Sequence, residues 1–123
     1  TSIRRLFWNA DAFNQPLNNW DTSNVTTMDD AFYNLTPFDQ TLGSWNISSS
    51  ITMDGMLDNC GMSRLNYEDT LISWSLQAPS IQSGVPLGAS GLQYSGSDPT
   101  VSASRAVLIN DYGWTISGDI NVG

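Results

Sequence analysis

At 123 residues the chain holds enough sequence for one core and too little for two ordinary ones. Eleven Asp and one Glu stand against four Arg, with no Lys and no His, for a formal charge of −8. That balance disfavours nucleic acid and anionic membrane surfaces as partners, and it removes Ser-His triads, Schiff bases and histidine-rich metal sites. Cys60 is the single cysteine, so no internal disulfide forms; it reads as a buried free thiol, with an intermolecular bridge as the alternative. No apolar run approaches the roughly eighteen residues of a membrane span, and no basic-then-apolar leader is seen. Thr1 opens just ahead of a repeat, so the chain is expected to be part of something longer.

Thr1 to Leu6 reads as an edge or the close of an earlier unit, with Ile3 and Leu6 apolar and Arg4 and Arg5 outward. The first full copy of a repeat then runs from Phe7 to Ala31. Phe7, Phe13, Gln15, Leu17 and Trp20 return 25 residues later as Phe32, Phe38, Gln40, Leu42 and Trp45, and a third copy opens at Leu57 before the pattern dissolves. A unit this short cannot bury an apolar face alone, so neighbouring copies must share one core. Trp20 and Trp45 are expected to form a ladder in it, each burying ~150–250 Å².

Within the first copy, Asn24 to Met28 predicts a short strand and Asp29 to Asn34 a helical turn carrying Met28, Ala31 and Phe32 inward. Ser50 to Met53 and Asp54 to Leu57 repeat that pair. Val25 advanced by one period lands on Ser50, with Ile51 the apolar neighbour, which predicts a slip of one residue absorbed by a bulge. Met28 with Met53, Asp29 with Asp54, and Asp21 with Asn46 form further rows.

From Leu65 the pattern changes. Asn66 is expected to cap a helix reaching about Gln77, with Glu68 and Asp69 in its first turn, an apolar face of Tyr67, Leu71, Trp74 and Ala78, and Pro79 as its stop. Gly84 to Gly88 reads as an edge-type extended segment around Pro86. Asp98 and Pro99 open a second helix continuing through Ser102 to Asn110, Gly113 follows in a left-handed position, and Trp114 to Ser117 is a last strand. The division expected is residues 1–64, two repeats with an N-terminal edge, and 65–123, helix and strand units that cap the same array.

FNQPLNNWDTSNVTTM, with FDQTLGSWNISSSITM behind it, resembles the repeat of BspA-like leucine-rich-repeat-related surface proteins. The tail segments NYEDTLISW, LQYS and SRAVLINDYGWTISGD resemble the stretch that closes such arrays. The resemblance implies an extracellular or cell-surface protein used for adhesion or protein contact, with no catalytic motif to carry over. Asp39 in place of Asn14 and Ser50 in place of Val25 depart from a perfect copy.

Trp8 and Tyr33, one period apart and outside the core positions, are candidates to stack on a sugar ring or a protein partner, as is Tyr94; covering the seam between copies is their structural alternative. The polar rows Asn18 with Gly43 and Asn19 with Ser44 are the other candidate contacts. Asp29, Asp30 and Asp54, with Asp58 one turn on, would supply oxygens for Ca²⁺, but no calcium-loop signature accompanies them and capping is the better account. Asn24, Asn34 and Asn46 open glycosylation sequons, Asn34 being the best acceptor and Asn24 expected to be structural. Arg105 is expected to pair with an Asp, and Glu68 fits a first helical turn better than a two-carboxylate glycosidase.

The resulting expectation is a right-handed α/β solenoid of leucine-rich-repeat type with a two-helix C-terminal cap, non-catalytic and without a resident cofactor. Its expected partners are a protein or glycan at a cell surface, or copies of itself. The alternatives to protein recognition are a carbohydrate-binding module and a structural spacer or self-assembling component.

Overall fold

A computed structural model describes residues 1–123. Its regular elements are α1 (Arg64–Ser75), β1 (Pro86–Gly88), β2 (Gln93–Tyr94), α2 (Pro99–Ala106) with a π-helical continuation over Val107–Asp111, β3 (Thr115–Ser117) and β4 (Ile120–Asn121). β1 pairs in parallel with β3, and β2 with β4.

This overturns the expected leucine-rich-repeat solenoid: the regular structure amounts to two helices and two short parallel strand pairs, and the repeats contain neither helix nor strand. The strands expected at Asn24 to Met28 and Ser50 to Met53 shrink to isolated parallel bridges, Ser2 with Thr27 and Thr27 with Thr52. The helical turns expected at Asp29 to Asn34 and Asp54 to Leu57 are plain turns. Backbone geometry gives the reason. Arg5, Asn9, Asp30, Asn34, Gly55 and Asn59 all lie in the left-handed region, with φ from +55° to +67°. Asp30 with Asn34, and Gly55 with Asn59, fall in or just after the two expected helical turns and keep a helix from propagating there.

What joins the two repeats is hydrogen bonding at a fixed offset. Ile3, Arg5 and Phe7 donate their N–H groups to the carbonyls of Thr27, Asp29 and Ala31, while Met28, Asp30, Phe32 and Asn34 donate to Thr52, Asp54, Met56 and Asp58. Side chains reinforce the offset. Asp29 Oδ1 accepts from Asp54 N at 2.8 Å and Thr52 Oγ1 at 2.6 Å, Asn14 Oδ1 accepts from Asp39 N at 2.9 Å, and Asp39 Oδ1 accepts from Ser63 N at 2.7 Å. Each later indole donates to a carbonyl of the preceding unit: Trp45 to Leu17, Trp74 to Leu42 and Trp114 to Gln82, at 2.8–3.0 Å.

The core runs without a break from Leu17 to Trp114. Trp45, Phe32, Phe38, Met28 and Met53 are fully buried, and Trp20 stacks on Trp45 at 6.1 Å. Trp20 itself remains 41% exposed, so the tryptophan ladder is buried at one end only. The expected slip at Ser50 does not occur. Ser50 takes the buried position of Val25, Ile51 points out at 57% exposure, and no bulge is needed because Thr27 and Thr52 stay in register.

In the C-terminal half α1 begins three residues earlier than expected, because Ser63 is the cap: its hydroxyl accepts from Asn66 N. Tyr67, Leu71 and Trp74 are buried along it. β1 is not an edge, since Leu87 bridges Met53 on one side and Ile116 on the other. Pro86 is tolerated there because its carbonyl, which accepts from Met53 N, is the group the ladder uses. α2 opens as expected, with the Asp98 carboxylate accepting from Thr100 N and Val101 N and with Pro99 at the first helical position.

Candidate binding surface

The fixed offset that joins the repeats also brings Trp8 and Tyr33 together. Their rings stack at 5.3 Å with an 8° angle between planes, and Trp8 is 44% exposed. The Arg5 guanidinium lies 5.3 Å from the Trp8 ring centre and leans toward Asp30, with Nε 3.7 Å from the carboxylate. Trp8 and Tyr33 border a cleft of about 60 Å³ that also takes in Asn9, Asp11 and Asn34. Asn9 and Asn34 hold left-handed backbone there, and Asn34 Oδ1 accepts from Asn59 Nδ2 at 3.2 Å. The asparagines thus form a row of their own beside the aromatic pair. It was readable in the 25-residue spacing of Asn9, Asn34 and Asn59, a signal that the attention to aromatic and acidic rows passed over.

The polar candidates lie elsewhere. Ser44 Oγ donates to the Asn18 carbonyl at 3.3 Å, Asn18 and Asn19 are exposed on a turn, and Gly43 is held against Ser73 and Asp69 of α1. Ser44 borders a wide polar groove with Asn46, Ser48, Gln77 and Ser80, apart from the Trp8 cleft. Tyr94 joins neither group, for its ring sits 4.6 Å beneath the Arg105 guanidinium.

The carboxylates proposed as a calcium set do not gather. Asp29 is occupied by Thr52 and Asp54, Asp30 leans on Arg5, Asp58 accepts from Ser90 N at 2.9 Å, and no acidic cluster has metal-holding geometry. Asp39 is drawn two ways: burial pushes its carboxyl up, but bonds from Ser63 and Asn66 outweigh it and hold the group below the ordinary 3.8. Asn24, Asn34 and Asn46 are all exposed, including Asn24, which sequence alone placed as structural.

A family model matches residues 1–83, more than half of the chain: DUF285, described as a Mycoplasma protein of unknown function. The chain belongs to the DUF285 family. The match spans both repeats, the Trp8 and Tyr33 pair and α1, and stops before β1. The DUF285 portion therefore contains every candidate contact except Tyr94. No curated protein and no solved structure matches the chain.

Arg105 and Asp119, beyond the DUF285 portion, form a buried charge cluster with Tyr67, which lies inside that portion. Arg105 pairs with Asp119 through Nε at 3.0 Å and Nη2 at 2.8 Å, and Tyr67 donates its hydroxyl to the same carboxylate at 2.7 Å. The Asp119 side chain is 2% exposed. The hydrogen bonds that Arg105 donates to Asp119 raise its pKa above the ordinary value, while burial, aided by the Asp119 charge, lifts the Tyr67 phenol well above 10. Both shifts lock one protonation state, as suits a structural clasp rather than proton transfer. Glu68 is likewise engaged, by Arg64 at 2.9 Å and Ser95 N at 2.7 Å. No helix is long and apolar enough to cross a membrane.

Proposed function

We propose that this chain is a non-catalytic binding module, extracellular or displayed at a cell surface, that recognises protein partners through the aromatic edge of Trp8 and Tyr33. The observation that carries the reading is the stacked, outward ring pair held in place by the backbone offset between repeats. Rings fixed before contact reduce the ordering cost of association, and aromatic side chains supply much of the binding energy at protein interfaces. The resemblance of the two repeats to BspA-like surface proteins supports the surface setting.

Protein is favoured over glycan because Trp8 already gives one ring face to Tyr33 and has the Arg5 guanidinium alongside. A pyranose needs an open aromatic face, whereas a protein partner can use ring edges and the neighbouring cleft. The test is an array of extracellular proteins and glycans probed with the wild-type chain, Trp8→Ala and Tyr33→Ala. Saturable binding to protein spots, weakened at least tenfold by either substitution with circular dichroism unchanged, is expected. Binding confined to glycans would transfer the surface to the carbohydrate alternative, and silence across the array would sink both.

A further inference from the structure

We propose that a cleft between α2 and the strand pair β2 and β4 is a second binding site, separate from the Trp8 edge, that takes a sugar acid. The carboxylate would lie on Arg105 and the ring hydroxyls on the polar side chains beside it. The cleft holds about 270 Å³, and its walls include Tyr94, Ser102, Arg105, Ile109, Asn110 and Asn121. Small-molecule sites run from roughly 300 Å³ upward, so the space suits one ring rather than a length of polymer. None of the twelve acidic residues of the chain lines it, although the formal charge is −8. Charges more than about 8 Å away are screened at physiological salt, so the lining weighs more than that total.

Arg105 supplies the carboxylate partner. A guanidinium has two edges, each able to hold a carboxylate through a pair of N–H donors. Asp119 occupies the edge of Nε and Nη2 at 3.0 and 2.8 Å, and the Tyr94 ring lies 4.6 Å beneath the guanidinium. The other edge, Nη1 with the second hydrogen of Nη2, makes no bond within the chain, and the Arg105 side chain is 22% exposed where it borders the cleft. The clasp that anchors one edge therefore fixes the direction of the other, which lowers the ordering cost for a ligand.

The surroundings fit hydroxyls. Asn121 accepts from Gly96 N and Gly123 N through Oδ1, which leaves its Nδ2 as a directed free donor. The Tyr94 and Ser102 hydroxyls and the Asn110 amide have no partner within the chain, and each both donates and accepts. Ile109 adds an apolar wall for the C–H face of a ring; it and Asn110 come from the π-helical stretch, a rare backbone form that recurs at functional sites. A cation finds no carboxylate in this lining, and a phosphate ester finds only one arginine already paired with Asp119. A single carboxylate needs no more than the one free fork.

Sodium glucuronate, glucose and sodium acetate, titrated separately into the full chain at constant ionic strength and followed by NMR, test the site. Glucuronate is expected to give saturable shifts at the Arg105 Nε–H and at the Ile109, Asn110 and Asn121 amides, with glucose and acetate each at least tenfold weaker. Ser102→Glu places a carboxylate one helical turn before Arg105, at an exposed side chain without bonds, and is expected to weaken glucuronate at least tenfold by taking the free edge. Ser102→Gln, equally long and uncharged, is expected to bind as the wild type does, and so is Trp8→Ala. Glucose or acetate binding as tightly as glucuronate, equal binding by the Ser102→Glu and Ser102→Gln chains, or no saturable shift with glucuronate would each overturn the proposal.

Discussion

Ser50 shows most plainly what a single residue contributes to this molecule. It occupies the buried site that Val25 fills one repeat earlier, at 1% exposure, and its hydroxyl has no hydrogen-bond partner. Ser50→Val replaces an unsatisfied buried hydroxyl with the side chain the site already accepts, and should stabilise the chain by about 1–2 kcal/mol in chemical unfolding. A loss of stability would mean that the two sites differ in shape. Cys60 makes a second point. Burial pushes its thiol from 9.0 up to about 11. The unfolded chain ionises first, so the thiol's contribution is present below pH 9 and is lost as pH rises toward 11. That window is worth roughly 3 kcal/mol, and Cys60→Ala should flatten it; an unchanged slope would place the cause elsewhere. Residue pairings were legible in the sequence where the period marked them, as for the stacking of Trp8 with Tyr33. Ser50 was misread because hydrophobicity was matched to Ile51, while the backbone offset, which pattern alone does not reveal, kept the serine inside.

Among the elements, both helices were legible, as were β1 and β3, which fall inside the extended segments expected at Gly84 to Gly88 and Trp114 to Ser117; β2 and β4 were not. Asp98 with Pro99 states a helix start in local chemistry, and Asp98→Ala should cost ~1 kcal/mol of stability. Ser63 was missed as the cap of α1 because Asn66, three residues on, carries an equally good signature and in the structure serves as the donor to it. Strands of two residues have too little alternation to announce themselves, and β4 left no sequence signal at all. The Arg105 and Asp119 clasp holds α2 to the segment between β3 and β4, with Tyr67 bringing in α1. Asp119→Asn leaves Arg105 without its counter-charge and should destabilise the chain by about 3 kcal/mol. If Asp119→Asn and Arg105→Met together cost no less than the sum of the two alone, the residues would not be acting as a pair.

For the whole molecule, the 25-residue period was the most legible feature and the fold class the least. Sequence periodicity says that copies share a core; it does not say what backbone they adopt. Left-handed residues interrupt each expected helical turn, and bonds between segments one period apart join the repeats. That offset aligns Trp8 on Tyr33, so the proposed binding surface depends on it. Amide hydrogen exchange at Met28, Asp30, Phe32 and Asn34 tests it most directly, since each donates to a carbonyl one repeat away. The four are expected to exchange slowly and together, with protection close to that of the α1 interior; exchange as fast as in an unfolded chain, with α1 still protected, would contradict the account.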